Sequence, residues 1–446
     1  MDIKRQKFLI LGASKSGFSV AKYLHENNGT FFVYEELKSP KATDALEKLK
    51  CLGVANLTRD KVEETLKECD VLILSPGVPI NHEIAVKAKA LGKRIMGELE
   101  FAYCTFFPNI VAVTGTNGKT TTVMLISGIL DKAGVKNQLV GNVGTPFTEK
   151  LNEIDNKTVC VTEVSSYQLE SVNYFCPHIS CVLNIAPDHL ERHYSMENYI
   201  YLKKRIFKNQ RESEYTILNF DDVTVKNFFA DVKSKVFWVS AKGKVDGAYR
   251  KESKLYCFDE YVIDEESLKL KGEHNVYNVL FAILSAKLMG VETENIVSFL
   301  QEFKGVEHRV QFVCEKNGVE YYNDSKATNT ASTISALSTI KKPIVLILGG
   351  SEKGEDYNKL FETIKQSPIK HVVLTGASKF NMLDVAGKNE ISEITLTPDF
   401  NCAVKIASLI AQDGDCVLLS PACASFDCFT SYEERGKAFI KAVEEL

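Results

Sequence analysis

Long apolar runs are missing from this chain. Nothing in its 446 residues approaches the roughly 18–20 uninterrupted apolar positions that a bilayer-spanning helix needs. The basic start, Lys4, Arg5 and Lys7 before Phe8 to Leu11, begins like a signal peptide, but the apolar stretch is too short and Lys15 interrupts it. No membrane association is expected, and the expected location is the cytoplasm. An excess of either charge is missing as well: 54 Lys plus Arg against 58 Asp plus Glu leave a net charge of −4. Without a basic field to condense on nucleic acid or anionic lipid, no nucleic-acid partner is expected, and any phosphate must be met by local groups. The twelve cysteines include no Cys-x-x-Cys pair and no histidine at zinc-finger spacing, so they read as buried reduced thiols rather than disulfides or a metal site. With 45% hydrophobic and 25% charged residues the chain builds a real core, and its length exceeds what one core supports, so two to three domains are expected.

Apolar strand runs alternate with helical periodicity almost throughout, which makes this an α/β protein with parallel sheets and crossover helices. The first block, 1–98, alternates Lys7–Ala13, Phe18–Asn27, Thr30–Tyr34, Ala42–Leu49, Val71–Ser75 and Ile84–Leu91. The second, 99–305, contains a strand at Asn109–Thr114, a helix over 119–133, strands at Thr158–Thr162 and Ile179–Asn184, β-rich pieces over 234–272 and two further helices. Lys304-Gly305 marks a boundary and a plausible hinge. Block 306–446 returns to α/β, with strands at Ile344–Leu348, His371–Thr375 and Cys416–Ser420 and a terminal helix over 433–445. There is no fixed-period repeat.

The most informative segment is Val111-Ala-Val-Thr-Gly-Thr-Asn-Gly-Lys-Thr-Thr-Thr122, a strand that turns through glycine into a helix. It reads as a phosphate cradle. Gly115, Thr116, Asn117 and Gly118 let backbone N–H groups point inward; Lys119 neutralises β/γ charge; Thr120, followed by Thr121, supplies a hydroxyl for Mg²⁺. The first glycine of the commoner P-loop spacing would fall at Val113, so this is a shorter variant. Gly12-Ala-Ser-Lys-Ser-Gly17 after the first strand, with Glu35 ending the second, imitates a dinucleotide fingerprint, but Ser14 replaces its middle glycine, so NAD loses most of its support while a nucleotide-diphosphate handle stays open. Ser75-Pro-Gly77 lies at the carboxyl edge of the same sheet, as a ligand loop or simply a turn. Glu163 and Asp188-His189, with Glu191, follow further strands, where carboxylates converge on the cradle and give oxygen ligands for Mg²⁺. Lys203 and Lys204, taken by themselves, read as a solvated helix face.

Taken in order, Gly115-Thr-Asn-Gly-Lys-Thr120, Glu163-Val-Ser-Ser-Tyr-Gln-Leu-Glu170, Asp188-His189, His274-Asn275-Val-Tyr-Asn278, His308-Arg309 and Asn323-Asp-Ser-Lys-Ala-Thr-Asn329 resemble the Mur ligase family over nearly the whole chain. Asp324-Ser-Lys-Ala-Thr-Asn329, Lys353 after Gly349-Gly350, and Ser420-Pro-Ala-Cys-Ala-Ser-Phe-Asp427 look like its D-glutamate-adding branch. Relatives that add diaminopimelate or lysine carry Asp-Asn-Pro-Arg instead. The resemblance implies three domains: a Rossmann-like parallel sheet holding UDP (1–98), a central P-loop-type ATPase domain (99–305) and a dinucleotide-fold-like domain for the amino acid (306–446). It implies that Ser14, Lys15 and Ser16 in the Ser14–Ser19 stretch, Glu35, Ser75, Pro76 and Gly77 surround uridine and diphosphate, with Asn142, Ser165, Ser166 and Gln168 on the sugar side. Family members often carry Asp and a small polar residue where Glu35-Glu36 stand. Lys119, Glu163, His189 and Lys203 become the catalytic set. Thr120, Glu163, His189 and Lys203, the last as a carbamate formed with CO₂, become ligands of two Mg²⁺ ions. Asn275, Asn278, Arg309 and Asp324 join the cradle in binding ATP. Lys326, Thr328, Lys353, Ser425 and Tyr432 fall in the D-glutamate region, with Lys353 as the ionic anchor. Matching Lys203 requires a one-residue length difference after His193, which keeps Lys204 as a second candidate.

The activity so implied is ATP-driven joining of D-glutamate to UDP-N-acetylmuramoyl-L-alanine through an acyl phosphate, by a monomer serving peptidoglycan precursor synthesis and hence cell shape and division. Three rivals differ in readout. A folylpolyglutamate synthase would take a pteridine substrate, and a nicotinamide oxidoreductase would rest on Gly12 to Gly17. A non-catalytic nucleotide-binding regulator would leave Glu163, His189, Arg309 and Asp324 without a task.

Overall fold

The structure is a computed structural model that describes residues 1–36, 40–270, 272–337, 339–352 and 356–446. It divides into two compact units, Met1–Phe303 and Lys304–Leu446.

Among the described residues the first unit holds two sheets. One has strands β1 (Lys7–Leu11), β2 (Thr30–Tyr34), β3 (Val71–Leu74) and β4 (Arg94–Gly97), all parallel, in the order β2-β1-β3-β4. The other contains β5 (Asn109–Thr114), β6 (Asn137–Gly141), β7 (Val159–Glu163), β8 (Ile179–Val182), β9 (Tyr215–Asn219), β10 (Lys235–Ser240), β11 (Gly247–Lys251), β12 (Lys254–Cys257) and β13 (Glu260–Asp264). Its order is β13-β12-β11-β10-β9-β8-β5-β7-β6. From β6 to β11 neighbours are parallel, and β12 and β13 add an antiparallel edge, so the β-rich pieces over 234–272 extend the central sheet. The second unit holds β14 (Gln311–Lys316), β15 (Val319–Asn323), β16 (Ile344–Leu348), β17 (Ile369–Leu374), β18 (Ile394–Leu396) and β19 (Cys416–Leu419) in the order β14-β15-β19-β16-β17-β18. Only the pair β14 and β15 runs antiparallel there among the described residues.

Strand alternation explains why each sheet is covered on both faces. In β5, Val111 and Val113 enter one buried cluster while Ile110 and Ala112 enter another. In β16, Ile344, Leu346 and Leu348 face one core and Val345 and Ile347 the other. A strand buried on both sides reads as an unbroken apolar run, which is the sequence signal of parallel sheets. One cluster takes Phe8 and Ile10 from β1 together with Phe101, Phe147 and Phe175, so the first and central sheets share apolar packing. The 98/99 division expected from sequence falls within the helix Glu98–Phe106. No helix among the described residues is long and apolar enough to cross a membrane. Seven cysteines are buried, but Cys176, Cys314 and Cys402 are half-buried and Cys51 and Cys428 exposed, which corrects the expectation for those five.

The helix that begins at Lys119 and runs to Lys132 is seated from behind. A Cβ on its Gly128 would lie 2.1 Å from a Phe299 ring carbon. Alanine is ordinarily the better helix former, yet here overpacking decides the sign. Gly128→Ala should lower the free energy of unfolding by about 1–3 kcal/mol in a urea titration, and adding Phe299→Leu should recover part of the loss.

Candidate functional site

The cradle is built at the carboxyl end of β5. Gly118 opens the helix Lys119–Lys132 at φ 85°, and a Cβ there would stand 2.3 Å from Asn278 Oδ1. A left-handed backbone and a filled neighbouring space both require glycine. The loop is fastened by Asn184, whose carbonyl accepts from Thr116 N at 3.0 Å and whose Oδ1 accepts from Asn117 N at 2.8 Å. Thr116 Oγ1 donates to the Ala186 carbonyl and shares a 3.0 Å hydrogen bond with the Tyr199 hydroxyl. Lys119 folds back, its Nζ donating to the carbonyls of Gly115 (2.9 Å) and Thr116 (2.7 Å). Buried Asn278 accepts from Thr122 at 3.2 Å and donates to Asn275 Oδ1 at 3.0 Å, so both predicted asparagines back the cradle.

Glu163, buried at the end of β7, joins two predicted residues. One carboxylate oxygen accepts from the Thr120 hydroxyl at 2.8 Å, the other from Asn142 Nδ2 at 2.7 Å. Hydroxyl and carboxylate are hard oxygen donors, the set that suits Mg²⁺, which keeps waters and substrate phosphates in the rest of its shell. Among the described residues no group of three or more His, Cys, Asp or Glu is placed to hold a metal ion. The residues present therefore fit an ion held by Thr120 and Glu163 together with phosphate oxygens. His189, with φ 53°, has its Nε2 3.6 Å from Asp188 and its ring 5.1 Å from that of Tyr167.

Lys203 and Lys204 diverge. Lys203 is 2% exposed and donates to Thr114 Oγ1 (3.1 Å) and the Gly115 carbonyl (2.9 Å), under the cradle itself. Burial, then the Lys119 charge, pushes its amine well below the usual lysine range against the pull of Asp188 and Glu163. Lys204 pairs with Asp231 at 2.6 Å and is part exposed. The solvated-face reading thus fits Lys204 and fails for Lys203.

Beyond Glu163, Ser165 and Gln168 cap the short helix Ser166–Leu169 reciprocally, and Ser166 bonds His193 Nε2 at 2.9 Å. Sequence reasoning missed His193, fully buried, and Arg192, which grips Glu170 at 3.1 and 2.7 Å and donates to the Gly77 carbonyl at 3.3 Å. It also missed Asn184; a polar residue just past a buried strand was the available signal. In the first sheet, Ser75 Oγ donates to the Gly12 carbonyl at 2.8 Å, and Pro76 lines a small cleft with Gln168. Glu35 is buried and accepts from Ala13 N at 2.7 Å, so it braces the glycine loop. Lys15 Nζ donates to the Gly144 carbonyl at 2.6 Å, while Ser14 and Ser16 are half-buried.

In the second unit Asp324 accepts from Ser420 Oγ at 2.7 Å and from Val310 N at 3.2 Å. Burial pushes its carboxyl up to about 7 despite the Ser420 bond and the Arg309 charge. Lys326 Nζ lies 5.8 Å from the Tyr432 ring centroid, Ser425 is buried and Thr328 half-buried. Lys353 lies outside the described residues.

Three family models cover this arrangement: Mur ligase MurD-like, N-terminal domain, at 6–97; Mur ligase middle domain at 113–286; and Mur ligase, glutamate ligase domain, at 308–423. The chain is 42% identical over 449 residues to a UDP-N-acetylmuramoylalanine–D-glutamate ligase of Caldanaerobacter subterraneus subsp. tengcongensis, covering 100% of both.

The chain belongs to the Mur ligase family.

A relative of the same description from Clostridioides difficile is 38% identical over 451 residues, again with 100% of both covered. Solved Mur ligases share the fold at low identity. Thermotoga maritima UDP-N-acetylmuramate-alanine ligase superposes with a TM-score of 0.61 at 17% identity, covering 99% of this chain and 100% of that one. MurF ligase of the same organism, in complex with ADP, gives 0.60 at 16% identity, covering 100% and 99%. The expected α/β fold with three Mur ligase domains is thereby established.

In this Mur ligase the folded state holds the Asp324 proton up to about pH 7, whereas an ordinary carboxyl, at 3.8, has lost it. More protons are bound folded than unfolded across that window, so Asp324 makes stability fall as pH rises through it. Denaturant titrations from about pH 4.5 to 7.5 should show a flatter profile for Asp324→Asn than for the parent.

Proposed function

We propose that this chain forms the amide bond between UDP-N-acetylmuramoyl-L-alanine and D-glutamate, driven by ATP, in peptidoglycan precursor synthesis. The observation that carries the reading is end-to-end likeness, at 42% identity, to an enzyme described by that reaction. The matched glutamate ligase domain supports the acceptor. Residues 1–98 take the uridine diphosphate, 99–305 the ATP and 306–446 the amino acid, with Lys304-Gly305 as the hinge.

The alanyl carboxylate attacks the γ-phosphorus of ATP; a C–O–P linkage forms as the bond to the β-phosphate oxygen breaks, giving an acyl phosphate and ADP. Lys119 and the loop amides stabilise charge on the phosphoryl oxygens. Thr120 and Glu163 would hold Mg²⁺, and His189 and a modified Lys203 a second ion; the ions would supply further neutralisation of that charge. The D-glutamate amine then attacks the acyl carbon, the C–N bond forms, phosphate leaves with the C–O bond pair, and a base takes the amine proton; His189 is our candidate. Lys326, Thr328, Lys353, Ser425 and Tyr432 orient D-glutamate, with Lys353 on a carboxylate.

Lys203 acts as a carbamate. Its buried amine beside Lys119 is favoured as the neutral nucleophile; adding to CO₂, it forms an N–C bond, releases one proton and becomes an anion with oxygens suited to Mg²⁺. The enzyme works as a cytoplasmic monomer on small molecules.

Phosphate release from ATP and UDP-N-acetylmuramoyl-L-alanine should depend on D-glutamate and not on L-glutamate, lysine or diaminopimelate; a correctly folded chain that releases none, or makes no new amide, sinks the reading. Lys119→Ala should abolish turnover while leaving the thermal midpoint nearly unchanged. Lys203→Ala should lose most activity and regain part of it with a short carboxylic acid in the buffer, and full activity without rescue would remove the carbamate.

A further inference from the structure

Three segments of the first unit meet at one buried hydroxyl outside the site described above. Thr148, 1% exposed, donates through its backbone N–H to Glu98 Oε1 at 2.7 Å and through Oγ1 to the same oxygen at 2.9 Å. A threonine hydroxyl has a single proton, so with that proton on Glu98 it accepts from Ser19 Oγ, 2.6 Å away and buried. Ser19 lies on the helix Lys15–Glu26, which follows the glycine loop of the first sheet, and Ser14 at its N-cap makes no side-chain capping bond. That leaves the first-turn amides for an anion. A second tie, Lys15 to the Gly144 carbonyl, reaches the same segment as Thr148.

The segment leads straight to the cradle. Gly141 N donates to the Thr145 carbonyl at 3.0 Å, closing a tight turn, and Asn142 N donates to the Glu163 carbonyl at 2.9 Å. The Asn142 side chain holds the Glu163 carboxylate, which holds Thr120. Hydrogen bonds at either end, joined by the backbone of 142–148, thus link the helix Lys15–Glu26 to Glu163 and Thr120.

We propose that Thr148 is a positioning residue: through Ser19 and Glu98 it fixes the direction of the helix Lys15–Glu26 relative to the phosphate cradle, and so sets where the nucleotide-sugar diphosphate sits. This inference rests on the ligase reading of the same unit. The pairing reaches 129 positions across the sequence, and all three side chains are buried, so loss of the hydroxyl leaves the Ser19 donor without its partner.

The test compares full-length Thr148→Val, Thr148→Ser and Ser19→Ala with the parent chain. Thr148→Val should raise the KM for UDP-N-acetylmuramoyl-L-alanine about tenfold, leave the KM for ATP within about twofold, and weaken calorimetric binding of the nucleotide-sugar alike. Thr148→Ser should restore all three. A lowered thermal midpoint with unchanged KM and affinity would overturn the proposal, since Thr148 would then only satisfy buried groups. If Thr148→Val does not fold, Ser19→Ala removes one bond and leaves both Glu98 bonds; the same KM pattern supports the proposal and unchanged values overturn it. A parent chain that binds the nucleotide-sugar without making amide overturns the ligase reading alone, because the binding comparison still decides the role of Thr148.

Discussion

A lysine amine buried under a glycine loop, beside a second lysine, is the constraint around which the first unit is organised. Lys203 reaches Thr114 and the Gly115 carbonyl from the helix Met196–Lys204, while Lys119 lies along the loop. A second ammonium is disfavoured there, by the burial of Lys203 and by the Lys119 charge, and Glu163 and Asp188 offset only part of that. An environment of this kind favours negative charge over a second ammonium.

The surrounding fold makes the constraint affordable. Glu163 ends β7, Thr114 ends β5 and Asn184 lies just beyond β8, so three adjacent parallel strands deliver their polar residues to one edge while their interiors stay apolar. Loops at that edge are pinned to neighbouring strands by side chains. Those contacts define the shape of the glycine turn.

Much of this was legible in the sequence, for definite reasons. Strands buried on both faces announce themselves as apolar runs, so β5 and β16 were read with the bounds they have. The cradle was legible because strand, glycine, lysine and threonine follow one another without interruption. Short strands with partly exposed residues, such as β4 and β6, were not recognised, nor was the hairpin of β14 and β15. The difference between Lys203 and Lys204 was invisible for another reason: neighbours on a helix point about 100° apart, and only packing decides which turns inward. His193 escaped because its partners Ser166 and Glu170 are distant in sequence. Glu35 matched a ribose-binding pattern by spacing, yet the Ala13 amide engages it, a contact that no spacing rule encodes.

The two-faced burial of β5 carries one more implication. Thr114 shares parity with Ile110 and Ala112, so the alternation that sorts apolar residues between two cores also aims its hydroxyl at Lys203. Insertion or deletion of one residue within this strand, ahead of Thr114, would swap the side chains that follow between the two cores and turn that hydroxyl to the opposite side of the sheet. Over the generations, such a strand tolerates changes of spelling far more readily than changes of length.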